Sequence, residues 1–299
     1  MERLRVVASH LAVVAPAPAA AAAGVSTLLE PWREQLPVLC EAYARDGFVL
    51  VSGLIPEAAL AAAEEVVWDF MEEPTEHWLS GEQQGGFRRD DPRTWPAEPK
   101  QFAKSIPGPE VAALWTQAYL EMGEVLSEYM AAHEPAEEPD TPTEVALNQP
   151  KGALAINILP HAHPEADWSW PSPHIDHSIE EHGFRTFPKP VRMSTMTYLA
   201  DAPTDQHAGS TVVWPGSHRK IAALAASDPV RFELMHELGQ ALQEAGVMDT
   251  QPVEVKAKRG DVLFYDILTA HSGSENHAPG TARLAFNMKW GVPSSPKQE

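Results

Sequence analysis

Apolar and polar positions along this chain fall into two regimes. Before residue 145 the apolar residues recur mainly at helical spacing, and after it they mainly alternate or run together as in strands. The spacing predicts helices over Glu57 to Met71, Glu110 to Ala132 and, later, Pro229 to Ala245, each rich in Ala, Leu and Glu. Pro56 opens the first, as suits a helix start. Strand patterns include the apolar run Ala153 to Leu159 and the segment Thr281 to Trp290. In the latter, Ala282, Leu284, Phe286 and Met288 alternate with Arg283, Ala285, Asn287 and Lys289. Helices early and strands late predict an α+β domain. Its sheets are expected to form a double-stranded β-helix (jelly roll, cupin-like) core, with helices backing one sheet.

The 28 prolines concentrate between these elements, in Pro92 to Pro99, Pro135 to Pro150 and Pro160 to Pro173. These segments are too long for tight turns and are candidate lids over a barrel mouth. Glu134 to Glu144, acidic and Pro-rich, reads as a mobile surface loop.

At 299 residues and without internal repeats, the chain divides into an N-terminal extension (1–25) and a single domain (26–299). Arg3 and Arg5 precede an Ala/Val/Pro run with a faint likeness to a targeting segment. Pro16 and Pro18 interrupt that run, so the expectation is a poorly packed extension of a cytoplasmic protein. No apolar stretch is long enough for a membrane span. The one cysteine, Cys40, excludes an intramolecular disulfide and reads as a small apolar packing residue. A net charge of −20 would repel a phosphate backbone, which argues against nucleic acid as a partner. One basic stretch stands out: Arg88, Arg89, Arg93, Lys100 and Lys104, interleaved with Phe87, Trp95 and Phe102. Its plain reading is charge balance with Asp90, Asp91 and Glu98. Its functional reading is a loop closing on an anionic or aromatic substrate, with Arg88 and Lys104 as contacts.

Two short segments carry candidate chemistry. The first is Pro171-Ser-Pro-His174-Ile-Asp176, and the second runs from Gly260 to His271. On a strand, positions i and i+2 share a face, so His174 and Asp176 can reach one cation, with His271 arriving from a distant strand. Two imidazoles and one carboxylate on one side of an ion leave the other side open, as non-haem Fe(II) oxygenases require. Among 13 histidines and 42 acidic residues a lone His-x-Asp triplet is a weak signal. Arg283 strengthens it, because a guanidinium lining a barrel mouth can grip a carboxylate with two parallel hydrogen bonds. His161 and His163, flanked by prolines, read as loop residues, and His177 points away from the triad on a regular strand. Trp168, Trp170 and Trp214 read as packing residues that also wall the pocket. Alternation leaves Tyr265 facing either the core or the metal.

In these segments the chain resembles the phytanoyl-CoA dioxygenase family of Fe(II)/2-oxoglutarate oxygenases. The likeness rests on Asp46-Gly-Phe-Val-Leu-Val51, His174-Ile-Asp176, Ala208 through Pro215-Gly-Ser-His218, and Gly260-Asp-Val through His271 to Arg283, and it spans about residues 40 to 290. The resemblance implies that His174, Asp176 and His271 hold Fe(II) and that Arg283 pairs with the distal carboxylate of 2-oxoglutarate. It also implies that Thr211 contacts the co-substrate, with Asn157 a further candidate for the same pocket. His218 is expected to make a structural hydrogen bond, and Asn276 to serve a turn. Where relatives often carry a polar co-substrate contact before His-x-Asp, this chain has Trp170-Pro-Ser-Pro173. Two readings stay open there: Ser172 substitutes, or Trp170 lines the substrate pocket. The implied reaction consumes O2 and 2-oxoglutarate, releases carbon dioxide and succinate, and oxidises a small organic molecule, by hydroxylation as the default. A zinc or manganese hydrolase or isomerase on the same fold, and a non-catalytic binding protein, are the rival classes. Arg283 argues against the first rival and the intact triad against the second.

Overall fold

A computed structural model describes residues 32–76, 83–96, 101–133, 152–160, 167–176, 191–203, 205–228, 230–231 and 242–291. The expected lid segment 135–150, parts of the other two (97–99 of 92–99 and 161–166 of 160–173), Lys100, His161, His163, His177 and residues 1–25 lie outside these residues.

The chain opens with helix α1 (Leu36–Asp46), which carries a proline in its first turn and ends at Gly47. Gly47 takes a left-handed φ of 84°, and its amide donates back to the Tyr43 carbonyl at 2.7 Å. Strand β1 (Phe48–Val51) follows, then helix α2 (Glu57–Glu72), which matches the first of the expected helices. Its Ala59, Leu60, Ala63, Val67, Phe70 and Met71 are buried at helical spacing. The short pair β2 (Thr75–Glu76) and β3 (Gln83–Gln84) precedes β4 (Gln101–Pro107).

The helix expected over Glu110 to Ala132 is broken in two, as α3 (Gly108–Val111) and α4 (Gln117–His133). Thr116 explains the restart. Its hydroxyl accepts from the Tyr119 amide, capping α4, and donates to the Leu54 carbonyl at 2.6 Å. After these come β5 (Gly152–Ile158), β6 (Val191–Tyr198), β7 (Thr211–Val213), helix α5 (Ser217–Ser227), β8 (Val253–Glu254), β9 (Val262–Asp266), β10 (His271–Gly273) and β11 (Ala285–Gly291). Helix α5 has no counterpart among the expected elements. Of the helix expected over Pro229 to Ala245, residues 232–241 lie outside the described ones and 242–244 are helical.

The sheets are antiparallel. A six-stranded sheet runs β1-β9-β6-β11-β5-β4, and a three-stranded sheet runs β10-β7-β8. The alternation read in 282–290 is the division between two cores. Leu284, Phe286, Met288 and Trp290 pack with α1, α2 and α4 on one face of the large sheet. On the other face Ala285 joins Tyr198, Met196, Leu263 and Tyr265 in a cluster that also takes Val213 from the small sheet and Val255 just after β8. Val212 and Trp214 point the other way, against Ile221 and Ala225 of α5. The chain is thus a mixed helix-and-sheet protein in layers, with polar residues enclosed between the two sheets.

Candidate metal centre

His174, Asp176 and His271 converge: each offers a ligand atom, and these atoms lie within 4.8 Å of one another. His174 and Asp176 are not on a regular strand, as the i, i+2 argument assumed. Instead His174 makes a single antiparallel bridge with His271, with N–H to carbonyl distances of 2.9 Å in both directions. That bridge brings the two rings to 4.5 Å between centroids.

His271 is buried at the start of β10, whose register sets it opposite Val213. Its Nδ1 lies 2.9 Å from the Thr269 carbonyl, an acceptor only, so Nδ1 carries the proton and Nε2 keeps its lone pair for a metal. The loop supplying that carbonyl is tied from three sides. Thr269 Oγ1 donates to the Gly47 carbonyl at 2.8 Å, the Ala270 amide donates to Ser217 Oγ at 2.8 Å, and the Trp214 amide donates to the Ala270 carbonyl at 3.0 Å. The Pro-Gly-Ser-His turn therefore acts through backbone geometry. Gly216, at φ 74°, donates to Asp46, while His218 contacts the Ala44 carbonyl at 3.2 Å. His218 takes the structural role expected of it.

Asp176 is oriented by the large sheet. Tyr265 and Ser194, register partners on β9 and β6, both donate to its Oδ2, at 3.0 and 3.2 Å. Asn287 in turn donates to the Tyr265 hydroxyl at 2.6 Å. The other oxygen, Oδ1, faces His271 Nε2 at 3.5 Å and Lys289 Nζ at 3.9 Å. Burial alone would raise this carboxyl, but Lys289, His271 and His174 together hold it well below the usual carboxylate range. Burial, reinforced by the Asp176 charge, pushes the Tyr265 phenol well above its ordinary value, so it stays a donor. Tyr265 thus faces the metal centre, which resolves the open alternative.

Arg283 lies just before β11, in a bridge with Ile158, and is buried between the sheets. Its Nη2 donates to Thr211 Oγ1 at 2.7 Å, and its guanidinium lies 5.3 Å from the Tyr198 ring centroid. Tyr198 also donates to Thr211 at 2.8 Å. Burial pulls the Arg283 guanidinium below its ordinary value, a cost that an anionic partner would offset. Thr211 sits two positions along β7 from Val213, the register partner of His271. At about 3.3 Å per residue, the Arg283–Thr211 pair stands roughly 7 Å along the sheet from the triad.

Other expected contacts fall elsewhere. Asn157 is opposite Phe102 in the β4–β5 register, and Phe102 stacks on Phe70 of α2, so Asn157 belongs to the helix-backed face rather than to the Arg283 side. There its Oδ1 accepts from the Ala285 amide at 3.4 Å. Lys104 shares that face, 5.4 Å from the Phe70 ring, because strand alternation turns it toward α2. Arg88 is exposed and paired with Asp90, while neighbouring Arg89 binds Glu64 and Glu65 of α2. Trp95 stacks on Trp68 of α2, so residues 92–96 are a packed turn on the helical layer rather than a lid. Trp170 is 45% exposed and packs edge-on against Trp168, which in turn lies flat on His207. Asn276 serves a turn, donating to the Ile158 and Thr281 carbonyls and accepting from the Ala278 amide. Ser194, Asn287 and Lys289 were not singled out from sequence as site residues, and Tyr265 was read there only as an open alternative. A signal existed for two of them, since Asn287 and Lys289 are polar positions on the same strand face as Arg283.

The donor set fits a divalent iron: two imidazole nitrogens and one carboxylate, with no thiolate among them. Among the described residues no helix is long and apolar enough to cross a membrane.

Comparison with known proteins agrees with this geometry. The family model for phytanoyl-CoA dioxygenase (PhyH) matches residues 43–285. No curated protein matches the sequence. Among solved structures, the epimerase SnoN in complex with Fe3+, alpha ketoglutarate and nogalamycin RO is 17% identical, with a TM-score of 0.50 over 87% of this chain and 84% of that one. EvdMO1 is 14% identical with a TM-score of 0.51, over 87% of this chain and 50% of that one. AviO1 from Streptomyces viridochromogenes Tue57 is 17% identical with a TM-score of 0.49, over 91% and 99%.

Proposed function

Because the chain belongs to the phytanoyl-CoA dioxygenase family, we propose that it is an Fe(II)- and 2-oxoglutarate-dependent dioxygenase acting on a small organic molecule. The observation that carries this reading is the convergence of His174, Asp176 and His271, with the buried Arg283–Thr211 pair two positions along β7 from the register partner of His271. The two antiparallel sheets, packed together through one apolar cluster, support the double-stranded β-helix reading of the fold.

Bound iron with 2-oxoglutarate would supply oxygen activation coupled to loss of carbon dioxide and formation of succinate. The chain's own residues supply position and dielectric. His174, His271 Nε2 and Asp176 Oδ1 would hold the metal from one side. Tyr265 and Ser194, fixed on Asp176 Oδ2, keep Oδ1 turned toward the ion. Arg283 and the Thr211 hydroxyl would grip the distal carboxylate of 2-oxoglutarate, and burial makes that ion pair stronger than it would be in water. The aliphatic and aromatic residues between the sheets keep bulk water from the Arg283–Thr211 end, whereas His174 stands exposed at the metal end. Hydroxylation is the proposed outcome. SnoN, described as an epimerase, shows that this fold also supports other outcomes.

The test is an anaerobic titration of the Fe(II)-loaded protein with 2-oxoglutarate, followed by the visible charge-transfer band of the chelate. A saturable band supports the reading. Iron binding without a band would turn the site over to the hydrolase or isomerase class, and failure to bind iron would end the metal assignment.

A further inference from the structure

Lys289 occupies a position that the machinery above does not use. It belongs to one row across the inner face of the large sheet: Lys289 opposite Ser194, and Ser194 opposite Tyr265. Ser194 and Tyr265 both point at Asp176 Oδ2, and Lys289 reaches the remaining oxygen, Oδ1, at 3.9 Å. Its side chain is 32% exposed, whereas Asp176 and His271 are 17% and 6% exposed, so the ammonium stands at the wet edge of the metal site. Arg283 lies six residues earlier on the same strand face, about 20 Å away at roughly 3.3 Å per residue. A co-substrate gripped at Arg283 approaches the metal from that end, which leaves Lys289 on the side open to the substrate.

Charge sharpens the point. A dication held by Asp176 and two neutral imidazoles, with a doubly charged dicarboxylate gripped by Arg283, is a set whose charges cancel. Lys289 adds one positive charge to it, inside a protein whose net charge of −20 would otherwise repel acids. Resting on the oxygenase reading, we propose that Lys289 is the specificity-determining residue of this site and that the substrate is a small organic monoanion, a carboxylate in the simplest case. Once a metal takes Oδ1, the ammonium turns the few ångströms from Asp176 to the carboxylate of the bound substrate.

The experiment uses the full chain loaded with Co(II) and saturated with 2-oxoglutarate. A panel of small carboxylic acids, each with its primary amide, is titrated in, and perturbation of the Co(II) visible bands reads binding without turnover. In the wild type the binding acids are expected to exceed their amides by at least about tenfold, the effect of about 1.4 kcal/mol. Lys289→Gln should erase that preference, and Lys289→Glu should reverse it. Co(II) affinity should be no weaker in either variant, because removing a cation beside Asp176 favours a metal. Equal binding of acids and amides, an acid preference that survives Lys289→Gln, or a panel in which no acid binds would each overturn the inference. Wild-type protein that binds neither Co(II) nor 2-oxoglutarate defeats the underlying reading and this inference with it. If both bind and the preference is absent, only the role of Lys289 falls.

Discussion

Gly47 and Thr269, far apart in sequence, meet where the carbonyl of the first accepts the hydroxyl of the second at 2.8 Å. Thr269 then holds His271 Nδ1 through its own carbonyl at 2.9 Å. A helix-ending glycine is thereby linked to the tautomer of a metal ligand. The same glycine leaves room for its neighbours, since a Cβ there would stand 2.5 Å from Thr269 Oγ1 and closer still to His218 Nδ1.

Gly47→Ala should therefore cost both stability and metal binding. The residue would be forced into a left-handed φ of 84° and into contact with two side chains. A loss of about 2–4 kcal/mol is expected. Denaturant titration measures that loss, and Co(II) titration should show weaker binding in the folded variant. Unchanged Co(II) affinity would sever the proposed link from Gly47 to His271.

Arg283→Ala is expected to weaken 2-oxoglutarate binding by about 30-fold or more, the scale of losing one partner of a buried, hydrogen-bonded ion pair. Metal affinity should stay within about twofold, because Arg283 contacts Thr211 and Tyr198 rather than the triad. Calorimetry with 2-oxoglutarate on Mn(II)-loaded protein separates the two quantities. A smaller loss is expected for Thr211→Val, which removes one hydroxyl.

Arg88→Ala and Lys104→Ala should leave 2-oxoglutarate affinity and turnover unchanged, and stability within about 0.5 kcal/mol. Both residues belong to the helical layer, Arg88 paired with exposed Asp90 and Lys104 resting over Phe70. A substrate KM that rises several-fold in either variant would return the basic stretch to the active site.

What the sequence disclosed follows from how local each signal is. The face alternation of 282–290 marks two environments directly, so the placement of Arg283 was legible, as was the convergence of His174, Asp176 and His271. Asn157 and Lys104 misled because a strand polar group has two faces to choose from, and only the register with Phe102 and Ala155 reveals which one. Nor was the break at Thr116 legible, since its cap depends on a contact with Leu54 far away in sequence. Ser194 lies in a strand whose register with Tyr265 and Lys289 exists only once three distant segments pair.

Burial raises the Asp261 carboxyl above its ordinary value, against the opposing hydrogen bonds from Ser52 at 2.5 Å and the Lys258 amide at 2.7 Å. The folded state thus holds this proton more tightly than the unfolded chain. Its contribution to stability is fully present below the unfolded value of 3.8 and is lost as pH rises through the raised folded value. Relative to Asp261→Asn, the wild type should gain stability between neutral pH and pH 4. Parallel denaturant titrations at the two pH values check the sign, and a wild type that loses stability relative to Asp261→Asn on acidification would contradict it.

The most discriminating test of the metal centre concerns Tyr265, because its hydroxyl touches Asp176 and would not itself touch the ion. Tyr265→Phe keeps the ring in the inter-sheet cluster and deletes one donor to Asp176 Oδ2, leaving Ser194 as the other. It also strips Asn287 Nδ2 of its 2.6 Å acceptor, so the carboxylate loses its support two layers deep. Metal affinity should fall by about tenfold, the low end for groups that orient a ligand. In Tyr265→Phe/Asn287→Ala the second change should add little, since Asn287 acts on Asp176 only through the phenol. Ser194→Ala, an independent donor, should add to Tyr265→Phe instead. Co(II) titrations of the three single variants, the two doubles with Tyr265→Phe and the wild type decide the matter, and full additivity of Asn287→Ala would break the relay from Asn287 through Tyr265 to Asp176.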